Sequence, residues 1–222
     1  MPATSLRRSP DQTHQVQVLK MGLCKNPPRG VQRGQTYGMA TSFTRMDEST
    51  QEQWLHIGAQ HALNSGRVAD RMLMLLESLG EITDGFNADQ LTHCLQTATL
   101  AERAGADEEV VFASLMHDVG KAITVSNHGA IAAEMIKPYV RDDVYQMIRV
   151  HQDFQGKHYY QHFGADPEAR EKHREELTTE QFDLAAQFAD EWDQIAFDTE
   201  YDTLPLAHFE PLVRKLTGDM SL

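Results

Sequence analysis

EEVVFASLMHDVGK, at residues 108–121, has the apolar spacing of a core-facing helix and closes on an adjacent histidine and aspartate. These two residues are His117 and Asp118. Neighbouring residues at a helix end diverge by about a quarter turn, so one can serve a single metal ion while the other reaches between two. The pair therefore predicts a metal site at the end of a buried helix.

Four more potential ligands stand at separate points along the chain. His93 lies in THCLQTATLAERAG, His151 ends DDVYQMIRVH, and Asp193 lies near the end of TEQFDLAAQFADEWD. His128 follows Asn127 at the start of a short predicted helix. Ligands that separate helices bring to one buried point describe a site inside a helical bundle. We therefore expect an all-α fold.

The six side chains together have the chemistry of a dinuclear centre. Four imidazoles and two carboxylates suit a pair of borderline divalent or trivalent metal ions, with one carboxylate free to bridge them. Any one of these histidines alone would more often be a hydrogen-bonded core residue. The joint pattern predicts a buried dinuclear metal site with the ligands His93, His117, Asp118, His128, His151 and Asp193.

The order of these ligands resembles the HD-domain superfamily, whose pattern is His, then His-Asp, then further His, then a late Asp. The resemblance runs from about Leu91 to Asp193. Four-ligand HD proteins lack the intervening histidines, so the complete set implies two metals. It also implies that the all-α fold is an HD-domain helical bundle.

Within the superfamily the chain resembles the oxygenase branch, which comprises inositol oxygenase and the 2-amino-1-hydroxyethylphosphonate dioxygenase group. LTHCLQTATLAERAGADEEVVFASLMHDVG is similar to the latter group around its first three ligands. HDVGK is similar to inositol oxygenase, in which the lysine that matches Lys121 contacts the substrate hydroxyl. The resemblance implies a non-haem di-iron oxygenase that acts on a small polar hydroxylated substrate, such as a hydroxyphosphonate or a polyol.

The same resemblance implies the cofactors and the role of each ligand. Two Fe ions in a mixed-valent Fe(II)/Fe(III) state would bind the substrate hydroxyl on one iron and activate dioxygen, the co-substrate, on the other. Asp118 would lie between the irons, and Lys121 would steady the substrate oxygen or the dioxygen. The oxygen-binding iron would be held by His93, His117 and Asp193. The substrate-binding iron would be held by His128 and His151.

An alternative function uses the same ligands. A metal-dependent HD phosphohydrolase would turn a water between the two metals into hydroxide and cleave a phosphate ester or nucleotide. The phosphonate enzyme has an arginine three residues before its last Asp ligand, whereas this chain has Asp190. That difference disfavours both phosphate and phosphonate substrates. A catalytically silent binding module is disfavoured by the complete ligand set.

Other polar residues are weaker candidates. Lys157, Tyr159 and Tyr160 follow His151 and are predicted to line the substrate pocket, although such residues after a helix are also ordinary at a surface. An alternative role for Lys121 is that of a solvated cation that interacts with carbonyl groups at a helix end. In KHYYQHF, residues 157–163, two histidines four apart are interpreted as part of an aromatic wall rather than a further metal site.

Composition limits the class of protein. The formal net charge of −13 disfavours nucleic-acid binding, because phosphate contacts require a basic face. No apolar run approaches the roughly 18 to 20 residues of a membrane span. The two cysteines, Cys24 and Cys94, exclude a disulfide framework and indicate a reducing cytoplasm. We expect a cytoplasmic protein whose partner is a small-molecule substrate.

The amino-terminal segment differs from the rest of the chain. Residues 1–38 hold six Lys or Arg against one acid and four of the eight prolines. They have no helical apolar period and no apolar region of the kind a signal peptide needs. This composition predicts a disordered or non-native leader over 1–38. A single HD domain would then occupy 39–222, with Met39 or Met46 as the working start.

Helix boundaries follow from capping residues. The expected starts are a capping box of Ser49 with Glu52, caps at Asp89, Asp107 and Asp142, a second box of Thr178 with Gln181, and a final helix from Pro211. The expected ends are near Leu79, Gly105, Pro138 and Phe197. Gly120 is expected to allow a turn after the His117–Asp118 pair.

Overall fold

The computed structural model describes residues 43–218, and within them the fold is all-α, with eight α-helices and no strand. The α-helices are α1 (Gln51–Ser65), α2 (Val68–Ser78), α3 (Gln90–Arg103), α4 (Glu108–Met116), α5 (His128–Ile136), α6 (Asp142–Gln155), α7 (Thr179–Gln187) and α8 (Leu206–Leu216). The expected fold class is confirmed for this part of the chain.

Contacts group the chain into two units, Met1–Ser49 and Thr50–Leu222. In the first unit the described residues contain one 3₁₀ turn, Met46–Glu48. The predicted leader over 1–38 and the start at Met39 lie outside the described residues. In the described part of the chain no helix is long and apolar enough to cross a membrane.

The core of the second unit is organised around α4. Every residue of α4 from Val110 to Met116 is buried, as expected for a helix that is apolar on all sides. It packs against α3, α6 and α8, while α5 packs on α6 and α6 on α7. Large side chains such as Phe112 and Leu76 are fully buried, and each burial stabilises the fold by about 1.5 to 3 kcal/mol. The central helix thus delivers its carboxyl end, and His117, to the interior.

Three of the predicted helix starts are confirmed. The Asp89 carboxylate accepts a hydrogen bond from the Thr92 amide at 2.8 Å, and Asp107 caps α4 in the same way. Thr178 and Gln181 form the expected capping box at α7. These caps satisfy amide groups that have no partner inside the helix. At the end of α3, Gly105 has a φ of +81°, which glycine adopts without strain.

The first predicted helix is wrong in its start and in its length. The capping box is made by Thr50 and Gln53 rather than by Ser49 and Glu52, because the Ser49 hydroxyl instead donates to the Met46 carbonyl. The helix also breaks after Ser65. None of the described α1 side chains is buried, whereas α2 buries four residues, so only the second helix is held by the core.

Three later boundaries also differ from the sequence prediction. Asp142 is the first residue of α6 and not its cap, which is Arg141. The helix after Thr178 is α-helical only to Gln187 and continues as a π-helix from Phe188 to Asp193. The last helix begins at Leu206, five residues before Pro211. Its two buried residues, Phe209 and Val213, lie on either side of Pro211, so packing maintains the helix through the proline.

Candidate metal centre

The structure brings the six predicted ligands together from five elements. His93 lies in α3, His117 and Asp118 follow α4, and His128 begins α5. His151 lies near the end of α6, and Asp193 ends the π-helix. A π-helical turn inserts an extra residue into a helix and is frequent at functional sites. All six residues are buried, with at most 4% of their surface exposed.

Each of the four imidazoles is fixed by a backbone carbonyl. The Nδ1 atoms lie 2.7 to 2.9 Å from the carbonyl oxygens of Ala196, Ser114, Val125 and Ile148, for His93, His117, His128 and His151 in that order. A carbonyl oxygen only accepts hydrogen bonds, so Nδ1 must carry the hydrogen. The neutral ring then has an unshared electron pair on Nε2, which is the state needed to bind a metal.

The Nε2 atoms face one another in two pairs. The separation is 3.1 Å between His93 and His117, and also 3.1 Å between His128 and His151. Two neutral rings cannot hydrogen-bond in this arrangement, since both Nδ1 hydrogens are already donated to carbonyls. Asp118 Oδ1 and Asp193 Oδ2 are buried without a hydrogen-bond partner. A bound cation would remove the repulsion between the facing electron pairs and would pair with the carboxylate oxygens that have no partner. These residues therefore fit a metal centre.

The Asp118 carboxylate lies between the two histidine pairs. Its Oδ2 is 3.5 Å from His93 Nε2 and 3.4 Å from His117 Nε2, while its Oδ1 is 3.1 Å from His128 Nε2 and 3.6 Å from His151 Nε2. Ligand atoms about 2.1 Å from one metal are separated by about 3.0 to 3.4 Å from each other. The distances to His117 and His128 lie in this range and those to His93 and His151 exceed it by at most 0.2 Å, so each oxygen of Asp118 would share a metal with a different pair.

Asp193 lies nearest to the His93–His117 pair, although its ligand atom also lies within 4.8 Å of that of His151. Its Oδ1 lies 3.1 Å from His93 Nε2 and 3.5 Å from His117 Nε2. The ligand atoms of His93, His117 and Asp118 lie within 4.8 Å of one another, as do those of Asp118, His128 and His151. The described residues thus contain buried His and Asp groups that can hold metal ions on both sides of Asp118.

The electrostatics of the cluster favour bound cations. Burial opposes ionisation of Asp118, but the adjacent imidazole of His117 and the other histidines hold the pKa of the carboxyl well below its ordinary value. Burial also opposes a charge on His117, yet Asp118, Cys94 and Asp193 together outweigh it and raise the pKa of the imidazole. Negative charges that attract a proton to Nε2 attract a metal in the same place, and the two compete.

Two glutamines that were not predicted from the sequence lie at the cluster: Gln155 contacts a predicted ligand directly, and Gln90 does so through Lys121. The Gln155 amide donates to Asp193 Oδ1 at 3.0 Å. The Gln90 Oε1 accepts from Lys121 Nζ at 2.8 Å, and Lys121 Nζ also donates to Asp118 Oδ2 at 2.5 Å. Gln90 is three residues before His93 and Gln155 four after His151. Helical spacing from the predicted ligands therefore offered a signal for both.

Aromatic rings enclose the His93 side of the cluster. The Phe197 ring stacks on His93 at 4.2 Å with 9° between the planes, and Phe86 stacks on Phe197 at 4.9 Å. Phe188 meets the His117 ring edge-on at 5.4 Å. These contacts fix the imidazole planes and exclude water, which strengthens electrostatic interactions at the site. No sequence pattern indicated Phe86 or Phe197.

The predicted pocket residues lie at different distances from the cluster. Burial is the main cause that raises the pKa of Tyr159, with smaller contributions from Tyr160, Asp193 and Asp118. Tyr160 packs edge-on against Tyr159 at 5.0 Å and lines a surface cavity with Gly129. Lys157 points elsewhere, since its Nζ lies 3.3 Å from Asp190 Oδ2.

Asp190 is surrounded by cations that the sequence did not place there. The Arg170 guanidinium donates to both carboxylate oxygens, at 3.0 and 2.8 Å, and the His158 Nε2 lies 2.9 Å from Oδ1. Asp190 stands where the phosphonate enzyme has an arginine. In the structure, Arg170 and Lys157 reach this position from two other segments of the chain.

Gly120 has a different role from the predicted turn. It lies in a 3₁₀ turn, Val119–Ala122, and its φ is not positive. A Cβ atom at this position would lie 2.2 Å from the His128 carbonyl oxygen and 2.7 Å from the His128 Cα. Glycine is therefore required because the backbone that carries His128 passes directly over it.

Gly120→Ala is expected to lower the free energy of unfolding by about 1 to 3 kcal/mol or more, since backbone atoms cannot rotate away from the new methyl group. The measurement is urea denaturation followed by circular dichroism. Gly58→Ala is the matched control, because nothing lies within 4 Å of its Cβ position. Equal stability of the two variants would contradict the close approach at His128.

Comparison with known families agrees with this geometry. The family model of the HD domain matches residues 91–198, a segment that contains all six residues of the cluster. No curated protein shows significant sequence similarity to the chain. The all-helical fold and the buried His and Asp cluster agree with this match: residues 91–198 are similar to the HD domain, a domain typical of metal-dependent enzymes.

Proposed function

We propose that this chain is a di-iron oxygenase that oxidises a small, polar, hydroxylated molecule with dioxygen. The observation that supports two metals is the Asp118 carboxylate between two pairs of histidine Nε2 atoms. Its two oxygens would bridge the ions, with His93, His117 and Asp193 on one side and His128 and His151 on the other. When bound, the two irons would supply dioxygen activation and a Lewis acid for the substrate hydroxyl.

Lys121 would act on the substrate oxygen, and Gln90 would hold Lys121 in position. The Lys121 ammonium group has three hydrogens, and in this structure it donates to Asp118 and to Gln90. One hydrogen thus stays available for a substrate oxygen. Because Gln90 is fully buried and Lys121 largely buried, the charge acts at low effective dielectric and stabilises negative charge on that oxygen.

Charge at the site favours an oxygenase over the alternative phosphohydrolase. A phosphate ester carries one to two negative charges, which enzymes neutralise with metals and with arginine or lysine side chains. Arg170 and Lys157 are the cations nearest to the π-helix, and both are engaged by Asp190. Lys121 likewise contacts Asp118, although one of its hydrogens stays available. The negative charges of Asp190 and Asp118 thus offset part of the positive charge of these side chains, which favours an uncharged hydroxylated molecule over a phosphate.

Oxygen dependence tests the proposal. Chain loaded with iron under anaerobic conditions is mixed with a panel of polyols and other small hydroxylated compounds, and dioxygen uptake is recorded with an electrode. We expect substrate-dependent uptake that stops when oxygen is removed and that manganese does not support. A parallel panel of phosphate esters is assayed for released phosphate. Rapid release in anaerobic buffer, supported equally by manganese, would replace the oxygenase with the hydrolase.

A further inference from the structure

A compact group of polar and charged side chains surrounds a residue of the π-helix that carries Asp193. Its centre is the Asp190 carboxylate, which Arg170, Lys157 and His158 contact with four separate nitrogen atoms. Asp190 and Asp193 belong to the same π-helix, Phe188–Asp193, three residues apart. We call Arg170, Lys157 and His158 the cationic cradle.

The cradle has the form of an anion-binding site. The Arg170 guanidinium presents its two terminal nitrogens to the two carboxylate oxygens, which is the bidentate arrangement that also recognises phosphate and phosphonate. The Arg170 side chain is only 8% exposed, and it is further held by the Phe154 carbonyl and by the Phe154 ring. A preorganised buried guanidinium therefore faces a single carboxylate that belongs to the protein itself.

The cradle opens toward solvent on its other side. The side chains of Lys157 and His158 are 49% and 29% exposed, and that of Asp190 is 28% exposed. The same two segments also meet at the candidate metal centre, because the Gln155 amide, two residues before Lys157, donates to Asp193 Oδ1 at 3.0 Å. The cradle and the candidate metal centre thus lie side by side between the end of α6 and the π-helix.

We propose that Asp190 determines substrate specificity: its carboxylate occupies the cationic cradle, so the site rejects substrates with an anionic group and accepts uncharged hydroxylated ones. That the accepted molecules are oxidised rests on the proposed function. The rejection of anionic groups does not depend on it. A substrate carboxylate or phosphonate would have to displace a tethered carboxylate that already makes four contacts. Removal of the Asp190 side chain leaves the same nitrogens facing one free position.

The test is binding of inorganic phosphate to the metal-loaded full chain, measured by isothermal titration calorimetry. We expect Asp190→Ala to bind phosphate at least about tenfold more tightly than the unaltered chain, since each charge-assisted hydrogen bond contributes about 1.5 to 3 kcal/mol. Lys157→Met in the Asp190→Ala background should reduce this gain, because it removes one of the four nitrogens. Phosphate bound at the metals is common to all variants and cancels in the comparison.

Two results would overturn the inference: a folded Asp190→Ala protein that binds phosphate no more tightly than the unaltered chain, or a gain that Lys157→Met leaves undiminished. Asp190→Asn keeps the shape of the side chain and removes its charge, so it serves if the alanine variant does not fold. For it we expect a smaller gain, roughly threefold. The oxygenase proposal would be contradicted by a different result, turnover that does not require oxygen. Failure of the specificity inference can therefore be distinguished from failure of the proposed function.

Discussion

Asp118→Ala is expected to reduce the metal content of the purified protein from two equivalents to nearly none. The substitution removes the one carboxylate that lies between the two histidine pairs, at 3.1 to 3.6 Å from all four Nε2 atoms. Without it, two adjacent cations would lose a shared ligand and the negative charge that screens their repulsion. Metal analysis by inductively coupled plasma mass spectrometry measures the result.

Two controls separate loss of the bridge from loss of the fold. Circular dichroism shows whether the Asp118→Ala protein remains helical. His128→Ala removes a ligand on one side of Asp118, so we expect it to lower the second equivalent of metal more than the first. Two full equivalents of metal in Asp118→Ala would exclude the bridging role.

Lys121→Met is expected to reduce turnover roughly 10- to 1,000-fold, the range observed when one preorganised donor to a developing charge is lost. Methionine preserves the length of the side chain and its packing beside Phe86, whose ring centroid lies 5.8 Å from Lys121 Nζ. Because Lys121 contacts an Asp118 oxygen but is not itself a ligand, the metal content should stay at two equivalents. Dioxygen uptake under saturating substrate, together with metal analysis, measures both effects.

Lys137→Met is the matched control for a lost lysine. Lys137 is exposed and pairs with Glu134 on α5, outside the cluster, so its loss should leave turnover unchanged. Unchanged turnover in Lys121→Met would show that its ammonium group contributes nothing to the reaction. Loss of metal in Lys121→Met would instead assign the residue to the stability of the centre.

The sequence predicted the all-helical fold, three of the six expected helix starts and the set of residues that meet at one buried point. These features follow from local patterns. Helical periodicity identifies a core-facing side, and a cap such as Asp89 lies within three residues of the amide it satisfies. A metal site can be predicted from the residue types without knowledge of their geometry, since imidazole and carboxylate side chains are metal ligands by their chemistry. The break between α1 and α2 was missed because burial, rather than periodicity, decides where a helix is held.

Contacts between residues far apart in the chain were decided only by the tertiary structure. His93 is fixed by the Ala196 carbonyl, 103 residues away, and Lys121 by Gln90, 31 residues away. Asp190 suggested a missing cation in the sequence, yet folding places Arg170 against it from 20 residues away. A residue type and its neighbours in sequence specify which bonds a side chain can make, but the packing of helices specifies which partner it meets. The sequence by itself therefore determined the chemistry of the cluster, while the fold determined how its charges are paired.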